Sequence, residues 1–147
     1  MADPQNKALS VFIDADVFIA FVKKDDSQHA VAREIFDKLR NREVIFSTSN
    51  YVFAEVVTVL SLRVGREVAL EFIKNIHAPE SGMDIKWVTP EIEASAVDIF
   101  HKQTSKNVSF VDCVNIAMVR NHHIDAIFSF DAVYKKNALK TVEEFLA

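Results

Sequence analysis

The chain has 147 residues, half of them apolar and about a quarter charged, with twelve Phe and a formal net charge of −4. This composition excludes a disordered chain, and the length suits one domain that buries a core without covalent staples. An acidic total also excludes a surface that is basic throughout, but it leaves room for a local basic rim around an acidic centre.

The chain's one cysteine, Cys113, lies in an apolar run. It reads as a core residue in a chain kept in a reducing, cytoplasmic setting. The opening MADPQNKALS has no basic stretch followed by a long apolar one, so no signal peptide is expected. No apolar run approaches the ~18 residues of a membrane span. Two glycines, three prolines and no Ser/Gly linker give a single domain over 1–147, with 1–8 as a flexible N-terminal segment.

In chain order, Leu9 to Ile13 reads as a strand, and Asp16 to Lys23 as a turn or two of helix. Ala30 to Arg40 carries Val31, Ile35 and Leu39 at fourfold spacing and predicts an amphipathic helix. Val44 to Ser47 is a second strand, Ser49 to Val64 an apolar helix ended by Gly65, and Glu67 to Ile76 a further helix. Ile85 to Val88 is a third strand. Thr89 and Pro90, as N-cap and first helical residue, open Glu91 to Gln103. Phe110 to Arg120 is another apolar helix and Ala126 to Phe130 a fourth strand. A short helical piece and one more strand near Leu139 to Val142 complete the chain. This alternation predicts an α/β fold of three layers, α/β/α, around a parallel sheet of four to five strands. Sites in such sheets form at the carboxyl ends of the strands.

Three acids stand at strand ends or first turns where such a site forms, and a fourth interrupts an apolar helix. Asp14 follows Val11-Phe12-Ile13, with Asp16 two residues on; one of the pair can cap the next helix. Glu55 interrupts Tyr51 to Leu60, a helix apolar enough to be largely buried, unless Glu55 lies on a narrow polar stripe with Thr58 or Ser61. Asp112 stands three residues after Ser109, a spacing that also makes a capping box. Asp131 follows Ile127-Phe128-Ser129-Phe130, where, taken alone, a cap for Ala132 to Asn137 explains it better. Each has a local explanation; together they point to one centre. Converging carboxylates repel by about 4 kcal/mol per pair at ~4 Å and an effective dielectric near 20. A divalent cation relieves that, and hard oxygen donors without His or Cys select Mg²⁺ or Mn²⁺.

Other polar residues carry less. His122 and His123 are adjacent, so they cannot share a helix face as a metal pair, and a helix C-terminus suits them when protonated. Lys102, Lys106, Arg120, Lys135 and Lys136 surround the acidic segments and could form a local basic rim, though each alone reads as solvated charge. The Phe residues fall in apolar runs and read as core.

In these residues the chain resembles the PIN-domain family. The match consists of Val11-Phe12-Ile13-Asp14, Ser47-Thr48-Ser49 leading to Glu55, Ser109-Phe110-Val111-Asp112, and Ser129-Phe130-Asp131, in order over nearly the whole chain. It departs at Ala15 and Asp16, where Thr or Ser and then Asn or Ser are usual, and at Ser129, where Thr is commoner. The resemblance implies a metal-dependent endoribonuclease using Mg²⁺ or Mn²⁺ on Asp14 and Asp112, with Glu55 and Asp131 contributing directly or through water. Asp16, Ser129 and Ser109 would support them. It implies in-line attack by a metal-activated water, leaving a 5′-phosphate and a 3′-hydroxyl. It further implies a VapC-type toxin, a small antitoxin partner, an RNA substrate and a homodimer. Two rivals stand beside this. One is a PIN-like scaffold that binds RNA or protein without cutting. The other is a phosphatase of the haloacid-dehalogenase kind, echoed by Asp14-Ala15-Asp16 but lacking the Gly-Thr that usually follows, with Val17-Phe18 instead.

Overall fold

Strand β1, Leu9–Ile13, is apolar on both faces, and Val11, Phe12 and Ile13 are fully buried. A strand covered on both faces must lie inside a sheet flanked by helices. The computed structural model, which describes residues 7–146, places it there. The expected flexible segment at 1–8 lies, for residues 1–6, outside the described residues.

Four parallel strands make the sheet: β1, β2 (Val44–Ser49), β3 (Met83–Lys86) and β4 (Ala126–Phe128), in the order β3-β2-β1-β4. Phe12 pairs with Ser47 on one side and Ile127 on the other, and Ser49 of β2 pairs with Lys86 of β3. From β1 the chain reaches β2 through α1 (Ala15–Val22) and α2 (His29–Arg40). It then reaches β3 through α3 (Asn50–Arg63) and α4 (Arg66–His77). Both steps run the same way across the sheet. The third, through α5 (Pro90–Lys102) and α6 (Phe110–Asn121), returns past β1 to β4. Right-handed crossovers put helices on opposite faces when the direction reverses. The packing agrees: α1 contacts α2 and α3, and α3 contacts α4, whereas α5 packs on α6. The result is the expected three-layer α/β/α arrangement. The direction reverses between β1 and β4, which is where a crevice opens in such sheets.

The helix signals act as read at several positions. Ser49 caps α3 and Thr89 caps α5, each hydroxyl accepting the amide hydrogen three residues on. Gly65 separates α3 from α4 at φ 153°, a conformation other residues avoid. In α2 the inward stripe is Ala32, Ile35 and Leu39, with Val31 exposed instead of facing the core.

Three expectations fail at strand ends. β3 runs from Met83 to Lys86 and not from Ile85 to Val88. The Val88 amide leaves the sheet to donate to Asn50 Oδ1 at 2.8 Å, and Trp87 is 73% exposed. β4 ends at Phe128, two residues early, because the Phe130 amide donates to Asp16 Oδ2 at 2.9 Å. Instead of a fifth strand at Leu139 to Val142 there is one parallel bridge, Ile127 to Thr141, followed by a 3-10 turn over Val142–Phe145. The short helix between is α7, Val133–Lys136. Cys113 is buried, as expected, while Phe100 lies exposed on α5. Among the described residues no helix is long and apolar enough to cross a membrane.

Candidate metal centre

Asp14 is the first residue after β1 and the N-cap of α1. Its carboxylate is 7% exposed and saturated by hydrogen bonds. Oδ1 accepts from the Ala15 amide at 2.7 Å and Asn115 Nδ2 at 3.0 Å. Oδ2 accepts from the Tyr134 hydroxyl at 2.9 Å and Ser129 Oγ at 3.0 Å. These donors come from α1, α6, α7 and the loop after β4, so four segments meet on one side chain. A carboxylate has about four lone-pair sites, and all four are used.

The other acids surround this hub. Asp16 does not cap α1, since Asp14 does. From the first turn its carboxylate accepts from the Phe130 amide and from Ser129 Oγ, at 2.9 and 3.2 Å. Asp112 forms the expected capping box: the Ser109 amide donates to its Oδ2 and its own amide donates to Ser109 Oγ, both at 3.0 Å. Its Oδ1 lies 3.3 Å from the Tyr134 hydroxyl. Asp131 stands in the loop beyond β4. It is not the N-cap of α7, which is Ala132, but its Oδ1 accepts from the Val133 amide at 3.0 Å, while its own amide donates to Ser129 Oγ.

Glu55 corrects a premise. It is exposed, not buried, because α3 turns only Val52, Val56 and Leu60 inward; Leu62 on the same helix is 80% exposed. Yet Glu55 stands close enough for the charges of Asp14 and Asp112 to push its carboxyl upward, after partial burial as the main cause. The remaining shifts have the same sign. Burial raises Asp14 despite its hydrogen bonds, and Asp112's charge adds to the rise. Burial, then the charge of Asp14, pushes Asp16 up to about 7. Burial, with Asp131's charge, raises Asp112. Among the described residues no ion pair involves any of these five acids. The five acids therefore share one field of negative charge with no cation among them.

That donor set suits a hard divalent cation. The side chains as they stand form no closed cage: among the described residues no three His, Cys, Asp or Glu are spaced to hold a metal ion directly. Mg²⁺ does not need one, since it keeps several waters and binds through one or two carboxylates. Asp14 can open to it because two of its donors have a second acceptor within reach. Ser129 Oγ also faces Asp16, and the Tyr134 hydroxyl also faces Asp112.

Asn115 and Tyr134 are the site residues that sequence reading missed. Asn115 is a fully buried polar residue in the apolar Cys113–Val119 stretch, one helical turn after Asp112, and that was the available signal. Its Nδ2 also donates to the Tyr134 hydroxyl at 2.9 Å, while its Oδ1 is buried without a partner. Burial and the charge of Asp14 raise Tyr134 far above the usual phenol range, so its hydroxyl stays a donor. Two expected residues lie apart from the centre. His122 caps α6, but burial and Lys86 lower its pKa, opposite to the expected protonated cap. Arg120 is occupied, donating to the Asn137 carbonyl at 3.0 Å.

Two predictions follow from the hydrogen-bond geometry. Without metal, native Asp16 binds a proton that the unfolded chain releases at its ordinary pKa of 3.8. A raised carboxyl adds stability that is complete below that value and is lost as pH rises through about 7. Thermal melts in EDTA should therefore show a falling midpoint from pH 4 to 7.5, and Asp16→Asn should flatten the fall; equal slopes in the two proteins contradict it. Tyr134→Phe removes a buried donor to Asp14 and leaves one Asn115 Nδ2 hydrogen without an acceptor, so urea unfolding should show a loss of about 1–3 kcal/mol. An unchanged midpoint contradicts that.

Known proteins resemble this chain in sequence and in fold. The family model described as PIN domain matches residues 11–140. The 23S rRNA-specific endonuclease VapC20 of Mycobacterium tuberculosis is 24% identical over 121 residues, covering 82% of this chain and 88% of that protein. The crystal structure of that Mycobacterium tuberculosis protein, titled a sarcin-ricin loop cleaving toxin, superposes with a TM-score of 0.78 at 22% identity, over 88% of this chain and 95% of the other. A toxin-antitoxin complex from Klebsiella pneumoniae gives a TM-score of 0.56 at 12% identity, over 82% and 86%. With the family model matching residues 11–140, most of its length, this chain belongs to the PIN-domain family.

Proposed function

We propose that this chain is a divalent-metal-dependent endoribonuclease and the toxin of a toxin–antitoxin pair. The observation that carries the reading is the uncompensated acidic centre: Asp14, Asp16, Glu55 and Asp112 all have raised carboxyls, and none forms an ion pair among the described residues. Such an arrangement destabilises the free protein and suits a bound Mg²⁺ or Mn²⁺. Likeness to an rRNA endonuclease supports RNA as the substrate, and the fold shared with a toxin–antitoxin complex supports a small antitoxin partner. PIN membership removes the ground for the phosphatase reading.

Asp14 and Asp112 would hold the ion, with Glu55 and Asp131 contributing directly or through water, and Asp16 and Ser109 in support. When bound, the ion lowers the pKa of a water molecule and offsets charge on the scissile phosphate. The chain's own groups set the geometry. The helix α6 start fixes Asp112 through Ser109, and Ser129 and Tyr134 each place one hydroxyl proton between two carboxylates. Saturation of Asp14 by four donors is the observation that favours the second reading, a scaffold that binds RNA without cutting.

The two readings separate on incubation with mixed RNA in Mg²⁺ or Mn²⁺ against EDTA. Cleavage should need the metal, and Asp112→Asn should lower it by ~10²-fold or more with the fold retained by circular dichroism. Undiminished cleavage by that variant, with unchanged metal affinity, contradicts the assignment. The proposal includes a homodimer. Leu62, Val64 and Leu70, exposed where α3 meets α4, supply apolar surface for it. Sedimentation equilibrium should give twice the protomer mass, and Leu62→Glu should halve it; a monomer at every concentration rejects the dimer.

A further inference from the structure

A polar cleft of about 400 Å³ opens between residues 103–108, which join α5 to α6, and the segment that enters and forms α7. Its volume lies within the range of small-ligand sites, roughly 300–1,000 Å³. Asp131 lines the cleft, and its amide donates to Ser129 Oγ, the hydroxyl that faces Asp14 and Asp16, so the cleft opens beside the acidic centre. The larger cleft of about 840 Å³, lined by Phe18, Phe36 and Phe72, includes no acid of the centre.

One wall is rigid. Gln103 Nε2 donates to Asn137 Oδ1 at 3.0 Å, and Asn137 Nδ2 returns a bond to Gln103 Oε1 at 3.2 Å. The same two nitrogens also donate to the Ile99 and Val133 carbonyls. Each amide nitrogen has two hydrogens, so this pair has no donor left for a guest. Capacity remains elsewhere on the lining. The side chains of Thr104 and Asn107 make no hydrogen bond, and Lys102 and Lys136 make no ion pair, among the described residues. Both lysines are exposed.

The electrostatics give these lysines a task. A polyanion approaching five carboxylates is repelled, and Arg120, the nearby guanidinium, is tied to Asn137. A strand can cross the centre only if cations flank it. We propose that this cleft receives the nucleotide adjoining the scissile phosphate of a single-stranded RNA, with Lys102 and Lys136 each neutralising one backbone phosphate. Thr104 and Asn107 face the base or sugar of that nucleotide. The inference rests on the nuclease reading above and extends it to where the strand lies.

The test is a binding measurement that needs no cleavage. A fluorescently labelled single-stranded 12-nucleotide RNA of mixed sequence is titrated with the full chain in EDTA over a range of KCl. Each phosphate contact on a single strand contributes about 0.7 to the slope of log affinity against log salt. Lys102→Ala with Lys136→Ala should therefore make the slope shallower by about 1.4. Arg33→Ala with Lys74→Ala, on α2 and α4, removes the same charge and should leave the slope unchanged. Equal slopes for the two double variants, or no binding by the unaltered chain, overturn the cleft assignment. The nuclease reading fails separately. Lysine-dependent binding without cleavage in Mg²⁺ or Mn²⁺ rejects the nuclease and keeps the cleft; metal-dependent cleavage by the lysine variant with unchanged KM does the reverse.

Discussion

A buried carboxylate needs partners, and the rest of this structure is arranged to give them to Asp14. An isolated buried ionised carboxylate is far less favourable than one in water. Here the α1 amide, Asn115, Ser129 and Tyr134 each donate to it. Those donors lie on segments far apart in the sequence, and they meet only because the sheet order puts β4 beside β1. The same bonds therefore tie the β1 end, α6, the loop after β4 and α7 into one unit. Even so, burial outweighs the donors and the carboxyl remains shifted upward.

The centre thus combines good local hydrogen bonding with poor overall charge balance. Asp112 and Asp131 both satisfy helix starts, which stabilises them where they stand. The charge of Asp131 adds to the rise of the Asp112 carboxyl, and that of Asp112 to the rise of Asp14. Strain of this kind, local order with unrelieved repulsion, is common at functional sites, where stability is exchanged for readiness to bind. Ser129 and Tyr134 matter because each has one proton and two carboxylates within reach. Shifting that proton frees one carboxylate oxygen without moving the backbone.

Topology also explains the surroundings. Reversal of the chain direction after β3 sends α5 and α6 to the second face, so the loop joining them overhangs the carboxyl ends of β1 and β4. That loop and α7 form the walls of the polar cleft. The acidic centre and its cationic flank are consequently products of one topological step. Segregation of charge within a few helical turns reconciles a net acidic chain with the polyanionic substrate proposed for it.

Much of this was legible along the chain. Apolar runs and helix periodicity located the four strands and the main helices, because burial on both faces and capping act through neighbouring residues. Asp14 and the Ser109–Asp112 box were legible for the same reason. Strand ends were not. β3 and β4 stop where Asn50 and Asp16 capture amides from distant segments, which no local pattern records. Glu55 misled because its helix looks apolar all round, and only packing decides which stripe turns inward. Asn115 and Tyr134 stayed hidden because their role is defined by Asp14, about a hundred residues away in the chain. The sequence by itself determined the elements, their alternation and the supply of acids, since these follow from local propensity and periodicity. Only the tertiary structure decided which groups share protons and which lysines line the cleft beside the centre, because long-range hydrogen bonds and charge fields exist only once the strands are placed side by side.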